Sequence, residues 1–222
     1  KRTMMVASLL GFFAMMASAT TVTSVNMVGY DTQTVTNTQE YVLLGVPWVD
    51  VGGGNTDLAS YLGVNMPDYT EVLLWNGTGY DTWTLFGGAW YDPGFAPGTT
   101  PLAPGTGLWL HNAAPGVFSL PLAGEVNEAA TVVMNLQPTF NLVSPAFSAD
   151  MSLVGDFDWT NSADYDEAMF WNGTGYDTWT IFGGTWYDPG FSPADRTVAM
   201  CEGFWYNNKQ ASAITVTQTM PY

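Results

Sequence analysis

Cysteine, histidine and basic residues are scarce in this chain of 222 residues, and each scarcity removes a class of function. Cys201 is the only cysteine, so no intramolecular disulfide can form. Small secreted domains often depend on such links, so this fold has to hold by burial alone. Cys201 is read as a partly buried structural residue, because a reactive thiol needs a histidine beside it. The lone histidine is His111, and Asn207 stands at its place 96 residues later. A histidine-based catalytic triad would therefore exist in one half only. Clustered His and Cys ligands for a transition metal are lacking. Neither a G-x-S-x-G elbow nor a phosphate-cradling loop occurs, since Gly52-Gly53-Gly54 lacks a lysine and a helix behind it.

Lysine and arginine number 4 against 20 acids, for a net charge of −16. Two of the four cations are Lys1 and Arg2, which precede the apolar run Val6–Met16 and the small residues Ala17-Ser18-Ala19. That order predicts a signal peptide over residues 1–19, cleaved after Ala19, and hence a secreted or cell-surface protein. The run is too short for a membrane span, so no span is expected after cleavage. Arg196 and Lys209 then face all 20 acids alone. Such a surface repels phosphate backbones, so nucleic acid is excluded as a partner. Polysaccharide or another cell-envelope component is compatible with it.

Gly 24, Pro 13 and 15% aromatic residues suit short strands and tight turns. Thr20–Tyr30 is rich in β-branched residues and reads as a strand. Tyr41–Val49 reads as a central buried strand ending near Pro47. Asn55-Thr56-Asp57 caps one short helix, Leu58–Leu62, which Gly63 closes.

The dominant feature is a cassette present twice. Trp75–Phe95 (WNGTGYDTWTLFGGAWYDPGF) returns at Trp171–Phe191 with two changes in 21 positions, Leu85 to Ile181 and Ala89 to Thr185. Asn76-Gly77 and Gly87-Gly88 are turn signals, so Glu71–Trp75, Tyr80–Phe86 and Ala89–Tyr91 are predicted to form a three-stranded meander. Gly107–Leu110 matches Gly203–Tyr206 at the same offset, and Tyr41–Pro47 resembles Phe140–Pro145. The expected fold is all-β: two tandem homologous antiparallel β-sandwich or barrel-like repeats, 20–124 and 125–222. Each repeat has six or seven strands and at most one short helix.

Trp75–Tyr80, Gly87–Trp90 and Pro104–Trp109, with Trp171–Tyr176, Gly183–Trp186 and Glu202–Trp205, resemble a loosely defined group of uncharacterised secreted bacterial β-repeat proteins. Met200-Cys201-Glu202-Gly203 departs from the Pro104-Gly105-Thr106-Gly107 pattern. The resemblance implies no catalytic residue and no substrate.

Sugar rings bind where an aromatic plane sits beside hydrogen-bond acceptors. The cassettes offer Trp83, Trp90 and Tyr91 with Asp81 and Asp92, and Trp179, Trp186 and Tyr187 with Asp177 and Asp188. Strand alternation puts Tyr80, Thr82, Thr84 and Phe86 on one face, with Asp81, Trp83 and Leu85 on the other. The bland alternative is that these rings are the core. No cofactor is required; calcium stays open for the acids at Asp92, Asp156, Asp158, Asp164, Asp166 and Asp188, although no spacing matches a calcium-binding loop. Glu71 and Glu167 recur at matching positions and leave a glycoside hydrolase as a third choice. The leading expectation is a non-enzymatic secreted protein presenting a glycan-binding surface. The alternative is a structural subunit of a surface layer or extracellular matrix, assembled through the β-prone segments Thr20–Val28 and Ala213–Thr219.

Overall fold

The structure is a computed structural model that describes residues 27–35, 41–50, 54–113 and 117–222. The expected signal peptide, most of the first strand and Gly52-Gly53 lie outside the described residues.

The fold is all-β. The strands of the first half are β1 (Val28–Val35), β2 (Tyr41–Gly45), β3 (Trp48–Val49), β4 (Thr56–Asp57), β5 (Glu71–Trp75), β6 (Tyr80–Phe86), β7 (Ala89–Tyr91), β8 (Pro101–Leu102), β9 (Gly107–His111) and β10 (Phe118–Val126). Those of the second are β11 (Thr131–Leu136), β12 (Thr139–Val143), β13 (Met151–Ser152), β14 (Phe157–Asp158), β15 (Glu167–Trp171), β16 (Tyr176–Phe182), β17 (Thr185–Tyr187), β18 (Thr197–Val198), β19 (Phe204–Asn208) and β20 (Ile214–Thr219). The only helix among the described residues is α1 (Leu58–Leu62).

Each half centres on a five-stranded antiparallel sheet, β2-β9-β5-β6-β7 in the first and β12-β19-β15-β16-β17 in the second. A two-stranded and a three-stranded sheet accompany each. The halves hold more strands than the six or seven expected. Two-residue strands such as β4, β8, β13 and β18 lie in segments too short to show any periodicity.

Local signals explain the meander. Asn76 Oδ1 accepts from the backbone N–H of Thr78 at 3.1 Å and Gly79 at 2.9 Å, while Gly77 takes a φ of 98°. Gly87 and Gly88 have φ of 58° and 76°, the pair of positive values that a two-residue hairpin turn of the twisted kind requires. In α1, Asp57 Oδ1 accepts from Ala59 and Ser60, both at 3.0 Å, and Gly63 closes the helix at φ 72°.

Tyr41–Val49 is not one central strand. It breaks at Val46-Pro47 into β2 and β3, which join different sheets, and β2 lies at the end of its own sheet. Its burial comes from the other half: Gly45 N donates to the carbonyl of Cys201 at 2.8 Å. Apolar runs report burial but not what covers them.

The halves pack face to face through their five-stranded sheets. Leu43, Trp109, Leu142 and Trp205 are buried together, with Leu73, Trp75, Met169 and Trp171 against them. Trp75 meets Trp205 edge-on at 5.2 Å, and Trp171 meets Trp109 in the same way at 5.4 Å. Backbone bridges Leu44–Glu202 and Thr106–Val143 link the halves reciprocally. A Cβ on Gly107 would lie 2.8 Å from the carbonyl oxygen of Val143, and one on Gly203 would lie 2.5 Å from that of Leu44. Only glycine permits that approach. The opposite face of each sheet closes a separate core, one around Leu44, Val72, Leu85, Trp90 and Leu110, the other around Phe147, Phe170, Ile181, Trp186 and Tyr206. Covering on both faces explains why EVLLW and GLWLH lack a clean polar alternation.

Candidate functional site: an aromatic cleft between the halves

Packing leaves a cleft of ≈ 320 Å³ between the two sheets, lined by Tyr41, Leu73, Tyr80, Trp109, Trp171 and Tyr176. Tyr80 and Tyr176 flank the two Asn-Gly turns and occupy matching positions in the cassettes. Each is about two-fifths exposed, at 42% and 41%. Trp75 packs edge-on against Tyr80, as Trp171 does against Tyr176, each pair at 5.3 Å. Burial raises the hydroxyl pKa of both tyrosines, partly offset by the Trp109 indole bonded to Tyr80 and the Trp205 indole bonded to Tyr176. Both phenols are therefore neutral donor–acceptor groups at physiological pH.

A polar row borders the cleft on the same sheet face. Tyr41 pairs with His111, His111 with Glu71, Glu71 with Thr84, and Thr84 with Tyr91 across the strands. Tyr41 stacks on the His111 ring at 4.2 Å, and His111 Nδ1 lies 2.9 Å from Glu71 Oε2. The second half carries Phe140, Asn207, Glu167, Thr180 and Tyr187 in the same order. Here Asn207 Nδ2 donates to Glu167 Oε2 at 3.0 Å, and Lys209 Nζ approaches the same oxygen at 2.9 Å. Each Glu is thus held by a partner of its own half.

None of the ten residues singled out from sequence lines this cleft. Trp90 and Trp186, at 2% and 3% exposure, belong to the two cores and have no free face for a sugar. Trp83 and Trp179 are half-buried against those cores. Asp81 and Asp177 are exposed, but each accepts from the turn asparagine, Asn76 at 2.9 Å and Asn172 at 3.0 Å. Asp92 Oδ1 accepts from the N–H of Gly94 and Ala96, and Asp188 Oδ1 from those of Gly190 and Ser192. Tyr91 and Tyr187 pack beside Phe95 and Phe191 at 5.8 and 5.3 Å.

The acids weighed for calcium are spread over local hydrogen bonds: Asp156 to Ser152 N, Asp158 to Thr160 N, Asp164 to Gly183 N, and buried Asp166 to Tyr206. No group of three or more His, Cys, Asp or Glu side chains among the described residues is placed to share a metal ion.

The cleft residues carried a usable signal. Tyr80 was assigned to the face opposite Trp83 and Leu85, and Leu85 is wholly buried in the core. The outward aromatics of that strand are therefore Tyr80 and Phe86, of which Tyr80 lines the cleft. Comparison with protein-family models, curated proteins and solved structures finds no match.

Proposed function

We propose that this chain is a non-enzymatic β-protein of the cell exterior that binds neutral polysaccharide in the cleft between its halves. One observation carries the reading: equivalent tyrosines from the two WNGTGY turns line one aromatic cleft, together with Trp109 and Trp171. Sugars offer C–H faces to such rings and hydroxyls to phenols. The cleft falls within the range of roughly 300–1,000 Å³ typical of ligand pockets. The net charge of −16 favours an uncharged ligand over an anionic one.

The alternative is a surface-layer or matrix subunit joined edge to edge. Ile214–Thr219 is paired along its length by β11, and β14 covers Thr217 and Gln218 on the other side, so only a short stretch of it is left as an edge.

The test is a titration with soluble glucans, xylans, mannans and galactans, followed by tryptophan fluorescence. A saturable change with at least one of them is expected. Tyr80→Ala and Tyr176→Ala should each weaken binding by about tenfold, as expected for loss of one aromatic contact. Circular dichroism should stay unchanged, because both rings are partly exposed. A flat response to every glycan, with concentration-dependent polymers in size-exclusion chromatography, would replace this reading with the structural one.

A further inference from the structure

Beside the cleft lies a larger groove of ≈ 450 Å³, bounded by the first Asn-Gly turn, the loop before β9 and the β11–β12 hairpin. The two cavities share a wall. Tyr80 lines the cleft, Trp75 lines the groove, and the two rings meet edge-on at 5.3 Å. Phe140 also lines the groove, and its ring packs edge-on against Trp205 at 6.0 Å, as Tyr80 does at 6.4 Å. A continuous band of ring contacts therefore joins one cavity to the other.

No acid or base lines the groove, in a chain that carries 20 acids. An ionic ligand finds no opposite charge there. Along β11, Met134 and Leu136 are buried while Val133 and Asn135 face out, and Gln137 is exposed just beyond the strand. The side chains of Asn135 and Gln137 line the groove and make no hydrogen bond among the described residues. An amide both donates and accepts, as a sugar hydroxyl does. Val133, at 62% exposure, and Phe140, at 40%, add apolar contact. The walls are held in place before any ligand arrives. Trp75 Nε1 donates to the Phe140 carbonyl at 2.8 Å, and Asn141 clamps the hairpin by accepting from Gln137 N at 2.7 Å and donating to its carbonyl at 2.8 Å. A site fixed in advance loses little freedom when it is filled.

We propose that the groove continues the cleft and that the ligand is an extended neutral polysaccharide chain, held along several consecutive sugar units. Asn135 and Gln137 bind hydroxyls of the units that lie beyond the Trp75–Tyr80 pair. This inference rests on glycan binding in the cleft and names the form of glycan. Each cavity reaches the size of a complete ligand pocket, roughly 300 Å³ or more, so a short sugar occupies the cleft alone and a longer chain engages both.

The full chain is titrated calorimetrically with oligosaccharides of glucan, xylan, mannan and galactan, from disaccharide to hexasaccharide. In at least one series the hexasaccharide should bind at least about tenfold more tightly than the disaccharide, as expected for an added aromatic and hydrogen-bonded subsite. Asn135→Ala combined with Gln137→Ala should remove that gain and leave disaccharide binding unchanged. Val133→Trp, which fills the groove from an exposed position on β11, should do the same. Equal affinity for the two lengths overturns the proposal and leaves glycan binding in the cleft standing, as does a length gain that persists in both groove variants. Silence towards every oligosaccharide and every polymer overturns the two together.

Discussion

The two halves share a cassette that differs at two of 21 positions, yet they give it different surroundings. In the first half the segment ahead of the cassette folds as α1, capped by Asp57, and the Gly63 carbonyl at its end accepts from Trp90 Nε1. In the second it runs through β14, stacks Trp159 on Tyr206, and leaves Trp186 Nε1 unpaired. The residue just before the first cassette strand also differs. Thr70 is buried with an unpartnered Oγ1, whereas Asp166 accepts from Tyr206 Oη, Lys209 N and Ala163 N at 2.7, 2.7 and 3.0 Å. A repeated sequence thus specifies its own strands and turns, while a non-repeated neighbour decides what its buried polar atoms meet.

The face the halves share should respond alike. Trp109→Ala and Trp205→Ala each remove a nearly buried indole from the junction, and each should cost about 3–5 kcal/mol in urea unfolding. Markedly unequal losses would show that the junction is not reciprocal. Asp166 and Thr70 should break the symmetry. Asp166→Ala leaves three donors without their acceptor in a buried site, for a loss on the order of 3 kcal/mol. Thr70→Val removes an unpartnered hydroxyl at constant shape, so thermal melting should rise, by an amount near 1 kcal/mol. If Thr70→Val destabilises, its hydroxyl has a partner.

The smallest effect concerns acid. Burial alone would raise the pKa of Asp57, but hydrogen bonds from Ser60, Thr99 and Ala59 outweigh it and hold the carboxyl below its usual value. The cap therefore contributes its stability above about pH 4, and loses it as pH falls through the lowered value. Asp57→Ala should cost about 1 kcal/mol at neutral pH and flatten that acid dependence. Ser152 ends β13 as Asp57 ends β4, and it has no such titration; its Oγ donates to Asp195. An acid slope unchanged in Asp57→Ala would place the effect elsewhere.

What could be read from sequence was local. The meander strands and α1 fall at their expected residues, because Asn-Gly, Gly-Gly and Asp-capping signals act within a few positions. Leu85 facing the core and Tyr80 facing away likewise follow from strand alternation. What stayed hidden was non-local. Nothing in YVLLG states that its neighbour is Cys201 of the other half, and nothing near Trp90 or Trp83 shows which ring a second sheet will cover. The cleft therefore had to be assembled from residues about 100 positions apart. Cys201 illustrates the limit: it takes a φ of 66° where Gly105 takes 88°, and it sits in the core of the first half. That exchange between halves has no counterpart in any local pattern.

The reciprocal backbone bridges at Leu44–Glu202 and Thr106–Val143, made possible by Gly203 and Gly107, also have a kinetic meaning. They join the two sheets at two separate points, one from each half, which opposes hinging of one half against the other. On the proposed binding role, a cleft held at these two points is expected to receive its ligand without a closing motion. The association rate of the proposed glycan should then climb in proportion to its concentration, without the plateau that a slow closing motion imposes, which stopped-flow fluorescence would check.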